Sequence, residues 1–442
     1  MSLLHADVLV VGAGPAGIAA VCTLAEAGKS VIWIDAGLRA GGQIWRSDIP
    51  QPWRERLTRA QHQVRWLSGH TVIAAEMSPA GHTQLLLHNL QSPLTDAHSV
   101  EAPHVLLALG ARERFLPFPG WTLPGVTGAG ALQALAKEGA PLRGKRVVLA
   151  GSGPLLWAAA HTLQVHGALL ELLAEQASRS QLVSFTMRLN PQLWTQTVRL
   201  AWALRRVPQR QSCWVERALG DEKLEAVQLT DGQRRWTQPC EALGVGFGLL
   251  PNTELAELMG CQLKDGAIQV DARQQTSRPG IYAAGECTGI AGMHKAVLEG
   301  QLAAQALLSG NSGGAGLARL AGALQRARRH GDLLQRQFTL RPELFKLADA
   351  QTLICRCEDV NLGALKTHQH WRDAKLQTRC GMGACQGRIC GPICQDVLGW
   401  PADPGVRGVR MPLQPAPIAA LLANHKPIDS DSTIHQGAPS IL

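Results

Sequence analysis

A chain of 442 residues, 45% hydrophobic and 17% charged, can bury two or three cores and is neither a disordered tail nor a fibre. Its formal charge of +9 comes without a long Lys/Arg run interleaved with aromatics, so no nucleic-acid partner is expected. Outside the N-terminal stretch, whose glycines follow a nucleotide-binding pattern, none gives about eighteen uninterrupted apolar residues, so no integral membrane segment is expected either.

The apolar start, MSLLHADVLVVGAGPAGIAAVCTLAEAG, lacks the basic opening and A-x-A-like cleavage site of a secretory leader. The chain reads as cytoplasmic, with peripheral attachment to the inner face of the cell membrane left open. Residues 7–11, DVLVV, are an apolar run of strand length, as in a parallel sheet covered on both faces. Gly12-x-Gly14-x-x-Gly17 follows and opens a helical stretch. Gly12 permits the tight turn, Gly14 lets backbone approach a pyrophosphate, and Gly17 lets helix and strand pack closely. The phosphates then sit on the helix N-terminus. A second strand, SVIWIDA, ends in Asp35, placed to accept hydrogen bonds from ribose hydroxyls. This order predicts a dinucleotide-binding domain, although the motif alone does not separate FAD from NAD.

Residues 145–150, KRVVLA, and the turn Gly151-Ser152-Gly153-Pro154-Leu155-Leu156 repeat the design. The third glycine position holds Leu156. Its bulk is expected to push helix and strand apart or force a different crossing, which makes NAD(P) a doubtful ligand. The next strand, ALLELLAEQ, carries the acid Glu175. Cys240 and Cys261 stand alone in sequence, so C-x-x-C disulfide chemistry is not expected.

Three stretches resemble the two-dinucleotide-binding flavoprotein superfamily: GGQIW (41–45), VLLALGARERFLPFPG (105–120) and TSRPGIYAAGECTG (276–289). The resemblance implies FAD contacted by Gly12, Gly14, Ala16, Gly17, Asp35, Gly42, Gln43, Gly110 and Glu286, with the Val72 backbone near adenine. Glu286 stands where the superfamily usually has Asp. His294 follows close by and is the one histidine to watch near the expected flavin; no catalytic acid–base constellation is expected.

GNSGGAG (310–316) reads as a flexible linker. The helical stretch after it carries Arg319, Arg326, Arg328, Arg329 and Arg336, either as a solvated face or as a dock for an acidic partner subunit. Of eleven cysteines, Cys22, Cys213, Cys240, Cys261 and Cys287 are scattered singly and read as inert core. The other six, at 355, 357, 380, 385, 390 and 394, lie within LICRCEDV and CGMGACQGRICGPIC. Clustered thiols suit an iron–sulfur cluster or zinc, and a C-x-C pair is tight for tetrahedral zinc.

The frame CRCE…TR-x-GMG-x-CQGR-x-C resembles the ferredoxin-like domain of bacterioferritin-associated ferredoxin type. That resemblance implies a 2Fe–2S cluster on Cys355, Cys357, Cys385 and Cys390, with Cys380 and Cys394 outside the pattern. The whole chain resembles the FAD/2Fe–2S α (A) subunits of multisubunit bacterial amino-acid dehydrogenases, the D-hydroxyproline dehydrogenase, octopine/nopaline oxidase and hydrogen cyanide synthase type. The implied fold is α/β: two Rossmann-like dinucleotide-binding domains, for FAD and an inserted NAD-like one, plus a small C-terminal 2Fe–2S ferredoxin-like domain. The expected divisions are 1–120 and 248–309 for the FAD domain, 121–247 for the insert, 310–350 for linker and basic helix, 351–412 for the cluster domain and 413–442 for a tail. The implied partners are a substrate-oxidising β flavoprotein subunit and a small 2Fe–2S γ subunit, and the implied role is electron relay in a D-hydroxyproline dehydrogenase-like complex. An NAD(P)H-dependent flavin/iron–sulfur reductase, the equivalent subunit of octopine oxidase or hydrogen cyanide synthase, and a non-enzymatic zinc scaffold are the rival expectations.

Overall fold

The computed structural model describes residues 3–46, 48–92, 97–189, 191–310, 315–401 and 408–422; most of the expected linker and tail lie outside these. The chain divides into two units. One is formed by 1–112, 250–331 and 408–442, the other by 113–249 and 332–407.

The first unit is built on a five-stranded parallel sheet. Its order is Ile281–Ala283, His104–Leu107, Val8–Val11, Val31–Asp35, Val64–Ser68. The central strand shows why its residues are apolar throughout. Val8 and Val10 enter one core with Ile18 and Trp33, while Leu9 and Val11 enter another with Ile32, Ile34 and Leu87. A strand covered on both faces has no position for a polar side chain. Helix Pro15–Glu26 lies against helix Met293–Ser309, and a Cβ on Gly300 would fall 2.2 Å from the Ala16 carbonyl oxygen. A second, four-stranded sheet orders Leu4–His5, Ala97–Ala102, Thr83–Asn89 and His70–Met77.

The second unit repeats the plan with a parallel sheet of Val126–Gly128, Ala242–Gly246, Arg146–Gly151, Leu169–Glu175 and Gln209–Gln211. Leu156 does not break it. The side chain is fully buried, and room comes from the neighbouring strand, where a Cβ on Gly246 would sit 3.0 Å from Leu156 Cδ2. In the first unit the crowding is reversed, since a Cβ on Gly17 would fall 1.9 Å from the Gly12 carbonyl oxygen. The expected disruption is therefore corrected: a glycine across the sheet offsets the one lost from the helix.

The cysteine-bearing segment shares a core with this insert. Phe118, Trp121, Val148 and Trp214 cluster with Leu344, Ile354, Cys355 and Trp371. The Trp121 indole N–H donates to the Leu353 carbonyl (2.7 Å), and Arg114 Nε donates to Asp396 Oδ2 (2.8 Å).

Candidate functional site: a dinucleotide cradle and a thiol cluster

At the end of strand Val8–Val11 the chain turns through Gly12 at φ +110° and enters the helix from Gly14. A Cβ on Gly12 would collide with the Ala108 carbonyl, 2.1 Å away, so this glycine is required by the fold itself. Gly14 differs: a Cβ there would meet no protein atom within 4 Å. The free space over Gly14, at an uncapped helix N-terminus, fits a pyrophosphate. Asp35 secures the turn, its Oδ2 accepting from the Ala13 N–H (2.6 Å) and Oδ1 from the Gly37 N–H (2.6 Å). Burial raises its pKa, opposed by those backbone donors.

The other expected residues gather around this turn in different ways. Gly42, at φ +58°, packs back on Gly14, and Gln43 beside it is exposed. Ala16 lies under Gly285, whose Cβ would come within 2.9 Å of its own. Val72 is buried with Val11 and Ile34, which end the first strand and precede Asp35. Gly110 lies beyond strand His104–Leu107 at φ +67°, its carbonyl accepting from the Asn252 N–H. Glu286 extends to helix Met293–Ser309, where Oε1 accepts from the Gly292 N–H (2.9 Å); burial raises its pKa. Its extra methylene over Asp allows that reach. His294 is exposed, and Arg112 pairs with Asn252 and Glu254.

A buried charge network escaped the sequence reading. Lys295, 2% exposed, donates from Nζ to the Gly285 and Gly289 carbonyls (2.8 Å each) and to Thr288 Oγ1 (2.7 Å). It pairs with Glu299, 0% exposed, at 2.9 Å. Glu299 also accepts from the Gly285 N–H, the Thr288 hydroxyl and Arg328. Together they hold the segment carrying Glu286. Lys and Glu four apart in the apolar run MHKAVLEGQLAAQALL were the available signal. Arg328, one of the connector arginines, is thus engaged within the chain.

In the second unit Glu175 repeats the work of Asp35. Its Oε2 accepts from the Gly153 N–H (2.8 Å) and Oε1 from the Ala177 N–H (2.9 Å), and burial pushes its pKa up to about 6. Gly153, at φ +91°, faces the ring of Phe338, 3.5 Å from where its Cβ would be.

The structure draws the cysteines together differently from their spacing. The thiols of Cys355, Cys380 and Cys390, all buried, lie within 4.8 Å of one another. Cys357 is exposed and Cys385 half-buried. Arg379 and Gly381 on either side of Cys380 both have positive φ, which turns that side chain inward. Hydrogen bonds link the two groups: the thiols of Cys380 and Cys390 pull the pKa of Cys355 down, and that of Cys390 pulls Cys385 down to about 5. The Gly381 N–H points at the Cys355 sulfur and the Gly387 N–H at Cys385, and a Cβ on either glycine would crowd the Trp371 indole, at 2.5 and 3.1 Å. Soft sulfurs this close together, with backbone donors around them, suit iron–sulfur ligation. The scattered cysteines differ: burial pushes Cys22, Cys213 and Cys240 up to about 12, as inert core thiols require.

Two parallel-sheet domains of this form, one with an open dinucleotide cradle, define a nucleotide-dependent oxidoreductase, and the chain belongs to the pyridine nucleotide-disulphide oxidoreductase family, whose model matches residues 6–300. Along its length it is similar to the HcnB subunit of hydrogen cyanide synthase from Pseudomonas aeruginosa, 31% identical over 456 residues covering 93% of this chain and 97% of the relative. The A subunit of opine oxidase from Agrobacterium tumefaciens is 30% identical over 486 residues, 97% of this chain and 96% of the relative. The resemblance carried by the motifs is borne out over most of the chain. Among solved structures, L-proline dehydrogenase from P. horikoshii matches with a TM-score of 0.66 at 18% identity, over 95% of this chain and 80% of that one. T. acidophilum thioredoxin reductase matches with a TM-score of 0.55 at 23% identity, over 69% and 98%. Both show the same fold. The family implies FAD, and the open cradle at Gly14 fits it.

Proposed function

We propose that this chain is the FAD- and 2Fe–2S-containing electron-transfer subunit of a multisubunit amino- or imino-acid dehydrogenase, D-hydroxyproline dehydrogenase-like in substrate. The observation that carries the reading is one chain combining an open flavin-type cradle with six clustered thiols. Bound FAD and a 2Fe–2S cluster would exchange two electrons and one electron respectively, which suits a relay. Gly12, Gly14, Ala16, Gly17, Asp35, Gly42, Gln43, Val72, Gly110 and Glu286 would hold FAD, and Cys355, Cys357, Cys385 and Cys390 the cluster. Relatives named as subunits of hydrogen cyanide synthase and opine oxidase support a partner-dependent role; a β flavoprotein would oxidise the substrate and a small 2Fe–2S γ subunit would complete the complex. No helix among the described residues is long and apolar enough to cross a membrane, and the proposed location is the cytoplasm or the inner membrane face.

The test is purification from the native host under anaerobic conditions. FAD, iron and acid-labile sulfide should be present, the last two near about two per chain. A flavoprotein partner should co-purify, and D-hydroxyproline or a related imino acid should bleach the flavin of the complex while leaving the isolated chain oxidised. Zinc in place of iron, or the lack of a flavoprotein partner, overturns the reading.

A further inference from the structure

We propose that segment Gln337–Arg341 permanently fills the dinucleotide cradle of the second unit, making this domain the seat of the cysteine-bearing segment and closing it to nicotinamide nucleotides. The two glycine turns share a plan but differ at their second glycine, φ −76° at Gly14 and +91° at Gly153, so a Cβ on each would point to a different side. Over Gly14 a Cβ would meet nothing within 4 Å; over Gly153 it would meet the Phe338 ring. Phe338 stands where phosphates would approach the N-terminus of helix Pro154–Val165. Its ring is fixed by an edge contact with Phe185, centroids 5.0 Å apart.

The ribose side is filled as well. Gln176, 1% exposed, directly follows the acid Glu175. Its Nε2 donates to Ser152 Oγ (2.8 Å) and to the Thr339 carbonyl (3.2 Å). Its Oε1 accepts from the Arg341 N–H (3.0 Å), and its carbonyl from Arg341 Nε (2.8 Å). Gln337 Nε2 donates to the Gln181 carbonyl (2.8 Å), and the Arg341 guanidinium covers the Trp214 ring at 5.3 Å. From there the chain enters the shared core at Leu344 and reaches the thiols. A tethered segment competes at an effective concentration of about millimolar even before these bonds count. Leaving another protein as the electron donor rests on the proposed relay function; the occupancy itself does not.

The test is hydrogen–deuterium exchange on the FAD-loaded chain, with and without NADH or NADPH. Amides of 151–156 and 337–341 should be protected in the wild type and unaffected by millimolar nucleotide. In Gln176→Ala/Phe338→Ala both stretches should exchange at least tenfold faster, while 12–17 and the flavin and iron content stay unchanged. Nucleotide-induced protection of 151–156 in the wild type overturns the proposal, as does unchanged exchange there in the double variant. Nucleotide binding without flavin bleaching sinks this inference alone. Binding with rapid bleaching also sinks the relay reading and restores the NAD(P)H-dependent reductase.

Discussion

Replacing Lys295 by Met should destabilise the first unit by about 3 kcal/mol and weaken FAD binding more than tenfold. The ammonium satisfies two carbonyls, a hydroxyl and the carboxylate of Glu299, all at 2.7–2.9 Å. Methionine fills similar volume but leaves the Gly289 carbonyl and a fully buried carboxylate short of a donor. Breaking a buried pair from one side costs about 3–5 kcal/mol. Arg328 still reaches Glu299 at 2.9 Å, which places the effect at the lower end. Glu299→Leu should cost at least as much, because it strands an ammonium that is 2% exposed. The double variant should cost about 2 kcal/mol less than the sum of the singles, since neither charge is then left alone. Urea titration followed by flavin release reports on this unit, and FAD affinity reports on the segment from Gly285 to Gly289. A loss below about 1 kcal/mol for Lys295→Met, or strict additivity in the double variant, refutes the argument, because either result means the two charges do not depend on each other.

The glycines of the first cradle should separate into structural and ligand-facing. Gly14→Ala, at φ −76° with an open α-carbon, should fold normally and purify without FAD, whereas Gly17→Ala should unfold at markedly lower urea. Absorbance and unfolding curves of the two variants check this. Among the thiols, Cys390→Ser should lose iron and sulfide and Cys380→Ser should keep them; loss of iron from Cys380→Ser would transfer a ligand role to it from exposed Cys357. The raised pKa of Glu175, about 6 against 4.5, means that burial disfavours its ionised form. Its contribution to stability is therefore full below the unfolded value and is lost as pH rises through about 6. Between pH 5 and pH 7 this amounts to about 1 kcal/mol, which should vanish from the pH dependence in Glu175→Gln.

Both glycine turns, their acids and the lone cysteines were legible because each is recognisable from a few residues adjacent in sequence. What the sequence hid depends on distant residues. Leu156 looked damaging when one motif position was considered alone, yet its space is supplied by Gly246, ninety residues on. Cys380 fell outside the ligand spacing, yet the left-handed turn at Arg379 brings it to Cys355 and Cys390. Nothing around Phe338 resembles a nucleotide, so no local pattern could announce that it covers a turn nearly two hundred residues earlier.

The paired acids sharpen what such a motif reports. Asp35 and Glu175 each accept one N–H from within the glycine turn and one from two residues beyond themselves. Each therefore holds the turn in shape whether or not a ribose is bound. An acid at this position is evidence for the turn, and only secondarily for a ligand. On the proposed occupancy, what separates the two cradles is the space at the second glycine, open at Gly14 and bordered by Phe338 at Gly153. On that proposal, the second domain keeps its sheet and its turn without a nucleotide because the acid, the crossing glycine and the inserted segment satisfy them from within.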